Sequence, residues 1–194
     1  MGEAYEHDKR RIRRQIQASR SRLTLAEVCR RSVAACERVL HLPVYAAARH
    51  VVAYTSIGNE VDPSLVVEHA RASGKKVYLP VDGEGDSFFR GGAAVDADDD
   101  LDVAVRHDEG DVFVLVPGIA FDPRGVRLGR GGGWYDRALA RHPHGVRVGL
   151  AYALQIVPHV PEAPWDVRVH AIVTEVQLIA AAAEVDRALK ESRP

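Results

Sequence analysis

Cysteine is scarce in this chain: 194 residues hold two, Cys29 and Cys36. Seven positions apart on one helix, they lie two turns from each other, too far for a disulfide. The sequence therefore predicts two small buried core residues and a reducing, cytoplasmic setting. There is no pair of cysteines with zinc-ligand spacing, and the nine histidines form no metal motif. The first residues are polar and charged, unlike a secretory leader. No apolar run approaches the ~20 residues of a membrane span. Neither charge sign dominates: 26 Lys and Arg face 27 Asp and Glu. With a net charge of −1, no nucleic-acid or membrane partner is expected, and the chain is expected to be a monomer. No Ser-His-Asp or Cys-His nucleophile is evident.

At 46% hydrophobic and 27% charged, the chain suits one α/β domain over 1–194 with a real core. Locally the charge is uneven. Lys and Arg crowd residues 1–31, whereas Asp and Glu crowd 82–111. Residues 8–20 read as a basic helix with Ile12 and Ile16 on one face, either a solvated surface helix or a surface for an anion. Thr24 and Glu27 form a capping box that starts a helix over 25–40. Strands are read at 49–54, 112–116, 146–152 and 171–173, and 74–80 reads as a loop followed by a short strand. Helices are read at 63–73, with Asp62 as N-cap, and at 176–190 from alanine content. Alternation of strands and helices predicts a three-layer α/β/α domain with a mainly parallel sheet. The acidic run 96–102 reads as a solvated connection, since it lacks the glycine and closing glutamate of a calcium loop.

The stretch that organises the rest is 116–137, VPGIAFDPRGVRLGRGGGWYDR. It leaves an apolar strand, turns at Pro117-Gly118, and sets Arg127 and Arg130 among Gly125, Gly129, Gly131, Gly132 and Gly133. A helix start follows. Backbone N–H groups in such a loop cradle anions, the helix N-terminus adds positive charge, and guanidiniums fork onto phosphate. The residues read as a site for a polyanion, most simply a nucleotide polyphosphate; the other reading is a bare surface loop. It is neither a P-loop nor a dinucleotide fingerprint, because Trp134 stands where each needs another residue. Glu60 follows the first strand, at the end where open α/β sheets place ligands.

This run closely resembles the signature of the 5-formyltetrahydrofolate cyclo-ligase family, PG-x-x-F-D-x-x-G-x-R-L-G-x-G-x-G-[YW]-YD. The resemblance extends over most of 9–175. Lys9 and Arg13 fit the family's K-x-x-x-R element, Ser56 and Glu60 its S-x-x-x-E, and Ala151 and Gln155 its A-[YF]-x-x-Q. It implies the cyclo-ligase fold, related to sugar-isomerase and CoA-transferase architecture. It also implies ATP- and Mg2+-dependent cyclisation of 5-formyltetrahydrofolate to 5,10-methenyltetrahydrofolate. ATP would be held by Lys9, Arg10, Arg13 and residues 127–135: Arg127, Leu128, Gly129, Arg130, Gly131, Gly132, Gly133, Trp134 and Tyr135. Folate would meet Thr55, Glu60, Trp134 and Tyr135. Asp136 and Asp166 would hold Mg2+, and Arg130 and Asp136 would carry the chemistry. Two positions depart from the pattern. The family's G-[IL]-x-EP motif is missing from 82–110, and His170 stands near where an aspartate is usual. Two alternatives follow: a paralogue acting on another N-formyl compound, or a nucleotide- or folate-binding module.

Overall fold

The computed structural model describes residues 2–80, 89–91, 112–141 and 145–181. The acidic run 96–102 lies outside the described residues. A 7-stranded sheet runs in the order β3-β2-β1-β4-β7-β8-β9. Its five inner strands are β2 (Lys76–Pro80), β1 (His50–Val52), β4 (Val112–Val116), β7 (Val146–Leu150) and β8 (Ala171–Val173). All four pairings among them are parallel. The edge strands β3 (Phe89–Gly91) and β9 (Leu178–Ala180) pair antiparallel. A two-stranded ribbon, β5 (Ala120–Phe121) and β6 (Arg127–Leu128), stands apart from the sheet.

The alternation of side chains along β4 builds both faces of the core. Phe113 and Leu115 pack with Ala35, Cys36 and Val39 of α2 (Leu25–Leu40), and with Val66 and Ala70 of α4 (Ser64–Ala72). Tyr45, from the short α3 (Pro43–Ala47), joins the same cluster. Val112, Val114 and Val116 face the other way, against Ala138 and Leu139 of α5 (Trp134–Arg141). The mainly parallel, three-layer reading is thus the observed one. Phe121 wedges between Gly118 and Gly149, where any Cβ would come within 2.7 Å of its ring. This contact seats the ribbon against the sheet.

A third cluster lies under α1 (Gly2–Arg20). Ile12 and Ile16 are buried against Ile119, Ala120, Val126 and Leu128 of the ribbon region. α1 is therefore amphipathic: its apolar face covers the ribbon, and its basic residues lie on both sides of that contact. It begins earlier than position 8, since residues 3–8 contain neither glycine nor proline to stop it. The capping box of α2 is present in full, with Thr24 and Glu27 bonded reciprocally.

Two expectations are corrected. Leu178–Ala180 is a strand rather than part of a helix, since pairing with β8 outweighs the helical preference of a few residues; residues 182–190 lie outside the described residues. Cys36 is buried but Cys29 is exposed, because α2 meets the core only along its carboxyl half. Burial pushes the Cys36 thiol up to about 12. An aromatic disulfide reagent at neutral pH should therefore titrate one thiol quickly, and Cys29→Ser should remove that fast phase. Two equally fast thiols would contradict the burial of Cys36.

Candidate active site

The sheet order reverses at β1, which has β2 on one side and β4 on the other. Such a reversal opens a crevice beyond the carboxyl ends of the two strands. The segment leaving β1 carries Thr55 and Glu60, and that leaving β4 leads to the ribbon and the glycine loop. α1 spans both.

The glycine loop, 129–133, joins β6 to the N-terminus of α5, whose first turn contains Asp136. The Arg127 guanidinium passes close over Gly129: a Cβ there would lie 2.6 Å from Arg127 Nη1, so a side chain at this position would displace that arginine. Gly131 has φ +107°, a conformation that side-chain-bearing residues rarely adopt. Both Gly131 and Gly132 are exposed. The loop thus offers bare backbone to a ligand, with the N-terminus of α5 behind it.

Cations reach the loop from two elements. Arg13 Nε donates to the Gly129 carbonyl at 2.9 Å. Lys9 Nζ lies 3.0 Å from Asp166 Oδ2 and over the Tyr5 ring. Burial would lower the Lys9 pKa, but Tyr5 and Asp166 together hold it above its ordinary value. The two cations of α1 thus hold successive parts of the crevice, Lys9 the Asp166 corner and Arg13 the glycine loop. Arg10 is exposed on the helix flank, with Nε donating to the Glu6 carbonyl.

Arg127 is more buried than a ligand-reaching cation would be, its side chain only 4% exposed. Nη2 donates to Asp136 Oδ1 at 2.9 Å, and the guanidinium stacks over the Tyr135 ring. Its Nε is buried and finds no hydrogen-bond partner among the described residues. Leu128 is buried in the third cluster, so its side chain faces away from any ligand. Trp134 and Tyr135 are half-buried and pack edge-on, with centroids 4.8 Å apart. Burial raises the Tyr135 hydroxyl well above its ordinary value. Arg130 is the outward arginine, with a side chain 54% exposed and Nη2 2.7 Å from Glu60 Oε1. Thr55 is exposed where the segment leaves β1.

Two carboxylates are brought to the same corner. Asp136 Oδ1 accepts from the Val167 backbone at 3.3 Å, next in sequence to Asp166. Asp166 Oδ2 accepts from Ala163 N and Lys9. In each carboxylate the other oxygen takes no hydrogen bond from a described residue. Among the described residues no group of three or more His, Cys, Asp or Glu forms a metal cluster. Two carboxylates with one open oxygen each fit Mg2+, which takes one or two carboxylates and completes its shell with water and substrate phosphate.

The floor is fixed by residues to which the sequence reading gave no role of their own. Asp122 is fully buried in the ribbon turn and accepts from Arg124 N, Val126 N, Val160 N and the Arg124 guanidinium. Gln155 donates to the Gly118 and Ile119 carbonyls. The Tyr152 hydroxyl holds the Glu60 carbonyl at 3.2 Å and meets Ser32, which in turn accepts from Asp62 N. Arg20 Nη2 lies 4.0 Å from Glu60 Oε1. It falls four and eleven positions after Ile16 and Lys9, on the same helical stripe, and that periodicity was the available signal.

His170 replaces the expected carboxylate. Its ring sits against Arg147, whose backbone N–H donates to Nδ1. Burial, and then the Arg147 charge, lower its pKa from 6.5 to about 4. The unfolded chain binds a proton between those pH values that the folded chain refuses, so stability falls as pH drops from about 6.5 towards 4. Thermal melts of the wild type should show this slope, and His170→Phe should flatten it. A wild-type melting temperature that is level across the window would contradict the buried, neutral imidazole.

The glycine loop and the cation-bearing helix meet at the switch point of an α/β sheet, the place where open α/β enzymes hold their ligands. The model of the 5-formyltetrahydrofolate cyclo-ligase family matches residues 5–175. The 5-formyltetrahydrofolate cyclo-ligase of Escherichia coli K12 is 31% identical over 160 residues, covering 72% of this chain and 85% of that protein. The NMR structure of Aquifex aeolicus 5,10-methenyltetrahydrofolate synthetase matches with a TM-score of 0.69 at 27% identity, over 96% of this chain and 95% of that one. A 5,10-methenyltetrahydrofolate synthetase from Mycoplasma pneumoniae shares the fold, with a TM-score of 0.68 at 22% identity over 87% and 99% of the two chains. The chain belongs to the 5-formyltetrahydrofolate cyclo-ligase family, and it is a ligase.

Proposed function

We propose that the enzyme cyclises 5-formyltetrahydrofolate to 5,10-methenyltetrahydrofolate at the expense of ATP, releasing ADP and phosphate. The observation that carries this reading is the placement of the family's matched residues. Lys9, Arg13, Glu60, Arg130, Asp136 and Asp166 come from four separate stretches of chain, and contacts between them and the glycine loop line one crevice.

The formamide oxygen of the substrate is a poor leaving group. Transfer of the γ-phosphoryl group to that oxygen makes an iminophosphate and leaves ADP. The folate N10 then attacks the formyl carbon, the ring closes, and the C–O bond breaks with phosphate as leaving group. Such transfer needs alignment and charge stabilisation more than a protein nucleophile. Gly129, Gly131, Gly132 and Gly133 present N–H groups to the polyphosphate. Arg130 and Lys9 neutralise it, and Arg13 holds the loop through Gly129. Mg2+ held by Asp136 and Asp166 would supply charge neutralisation at the phosphate oxygens. Arg127, buried against Asp136 and Tyr135, aims the carboxylate rather than reaching out. Trp134 and Tyr135 offer an edge to a flat ring of folate or adenine. Glu60 contacts folate from the β1 side.

With Mg-ATP and 5-formyltetrahydrofolate, the purified protein should build the near-ultraviolet absorbance of the methenyl product. ATP binding without turnover would move weight to another N-formyl substrate, which the missing motif in 82–110 favours, or to a binding module. Lys9→Ala should raise the KM for ATP more than that for folate. The reverse pattern would break the assignment of Lys9 to the nucleotide.

A further inference from the structure

Glu60 is a carboxylate shared between two unlike arginines. Its side chain is 8% exposed. Oε2 accepts from the Ile57 backbone at 3.1 Å. Oε1 meets Arg130 at 2.7 Å and Arg20 at 4.0 Å. Arg130 is the free-ended partner, half-exposed on the glycine loop. Arg20 is the anchored one: its side chain is 9% exposed and its Nε donates to the Asn59 carbonyl at 3.1 Å. Asn59 Nδ2 returns bonds to the Arg20 and Leu23 carbonyls, so the end of α1 and the Glu60 segment are lashed together in both directions.

The cluster holds two positive charges and one negative charge. Burial lowers the Arg20 pKa, and the attraction of Glu60 opposes it while Arg130 adds to it. An anionic ligand on the glycine loop would therefore draw Arg130 away and relieve the repulsion. A carboxylate this buried loses heavily if it is left without a cation. Arg20 is already in place for the same oxygen.

We propose that Arg20 is a positioning residue for Glu60: it takes over as the carboxylate's counter-charge when nucleotide recruits Arg130, and so keeps Glu60 aimed at folate. The inference rests on reading Glu60 as a folate contact and Arg130 as a phosphate contact. It makes α1 a brace for both halves of the site, with Lys9 and Arg13 at the nucleotide and Arg20 at the folate.

Calorimetric titration with 5-formyltetrahydrofolate, with and without a non-hydrolysable Mg-ATP analogue, tests it. Arg20→Gln should weaken folate binding about ten-fold more when the analogue is bound than when it is absent. Arg20→Lys, which keeps the charge and covers the case in which the glutamine variant fails to fold, should lose much less. In a Glu60→Gln background, Arg20→Gln should add no nucleotide-dependent loss. Equal weakening with and without the analogue, or the same loss in the Glu60→Gln background, overturns the proposal and leaves Arg20 as a tie between helix and loop. If Glu60→Gln alone leaves folate affinity unchanged, the reading of Glu60 itself fails, and the role for Arg20 falls with it.

Discussion

Asp136→Asn should lower kcat by at least about 100-fold while the protein stays folded. Asparagine is nearly isosteric and keeps an oxygen to accept from Arg127 and Val167 N, the two groups that hold Oδ1. What it removes is the negative charge. Arg127 then sits almost fully buried without its counter-ion, and Mg2+ would lose one of the two carboxylates proposed to hold it. Steady-state kinetics beside a melting curve separate the two effects. A small fall in melting temperature with a large fall in kcat fits the metal role. An unchanged rate would strip Asp136 of it.

Asp122→Ala should cost about 3–5 kcal/mol of stability, with a melting temperature lower by about 10 °C. The side chain is fully buried, and three backbone N–H groups, those of Arg124, Val126 and Val160, depend on it. Alanine leaves all three without an acceptor. Asp122→Asn should lie between, because one acceptor oxygen remains but the ion pair with Arg124 is lost. Burial would raise the Asp122 pKa, but the Arg124 side chain and those N–H groups more than offset it and hold it below 3.8. The contribution is present above about that pH and disappears as acid protonates the carboxylate. Urea melts of the two variants at neutral pH settle the order; an alanine variant as stable as the wild type would mean that the ribbon turn does not depend on this carboxylate.

Much of the framework could be read in advance because local chemistry and tertiary structure agree there. Thr24 and Glu27 announce α2 at the residue where it starts. The apolar runs at 49–54, 112–116 and 146–152 are buried on both faces, as inner parallel strands are. Where long-range contacts decide, the pattern was silent. Leu178–Ala180 pairs with β8 although alanine favours helix, and Cys29 is exposed because α2 leaves the core before its first turns.

The site divides in the same way. The glycine loop, Glu60, Asp136 and Asp166 carry motif chemistry and stood out. Arg20 did not, since one more arginine in a basic helix looks solvated until its partner Glu60 arrives from forty residues downstream. Asp122 looked like an ordinary turn residue of the motif, and only the fold reveals how many N–H groups converge on it. Arg127 looked like a second phosphate fork, but it is buried and bonded to Asp136, a partner nine positions on that only the fold brings to it.

The central claim is that main-chain amides of 129–133 cradle the polyphosphate while Asp136 and Asp166 hold its metal. A crystal structure of the protein with Mg2+ and a non-hydrolysable ATP analogue tests it most directly. The expected density puts the β- and γ-phosphates over the glycine loop, with the metal between them and both aspartates and Arg130 swung from Glu60 to phosphate. A triphosphate bound elsewhere, with that loop facing bulk water, would contradict it.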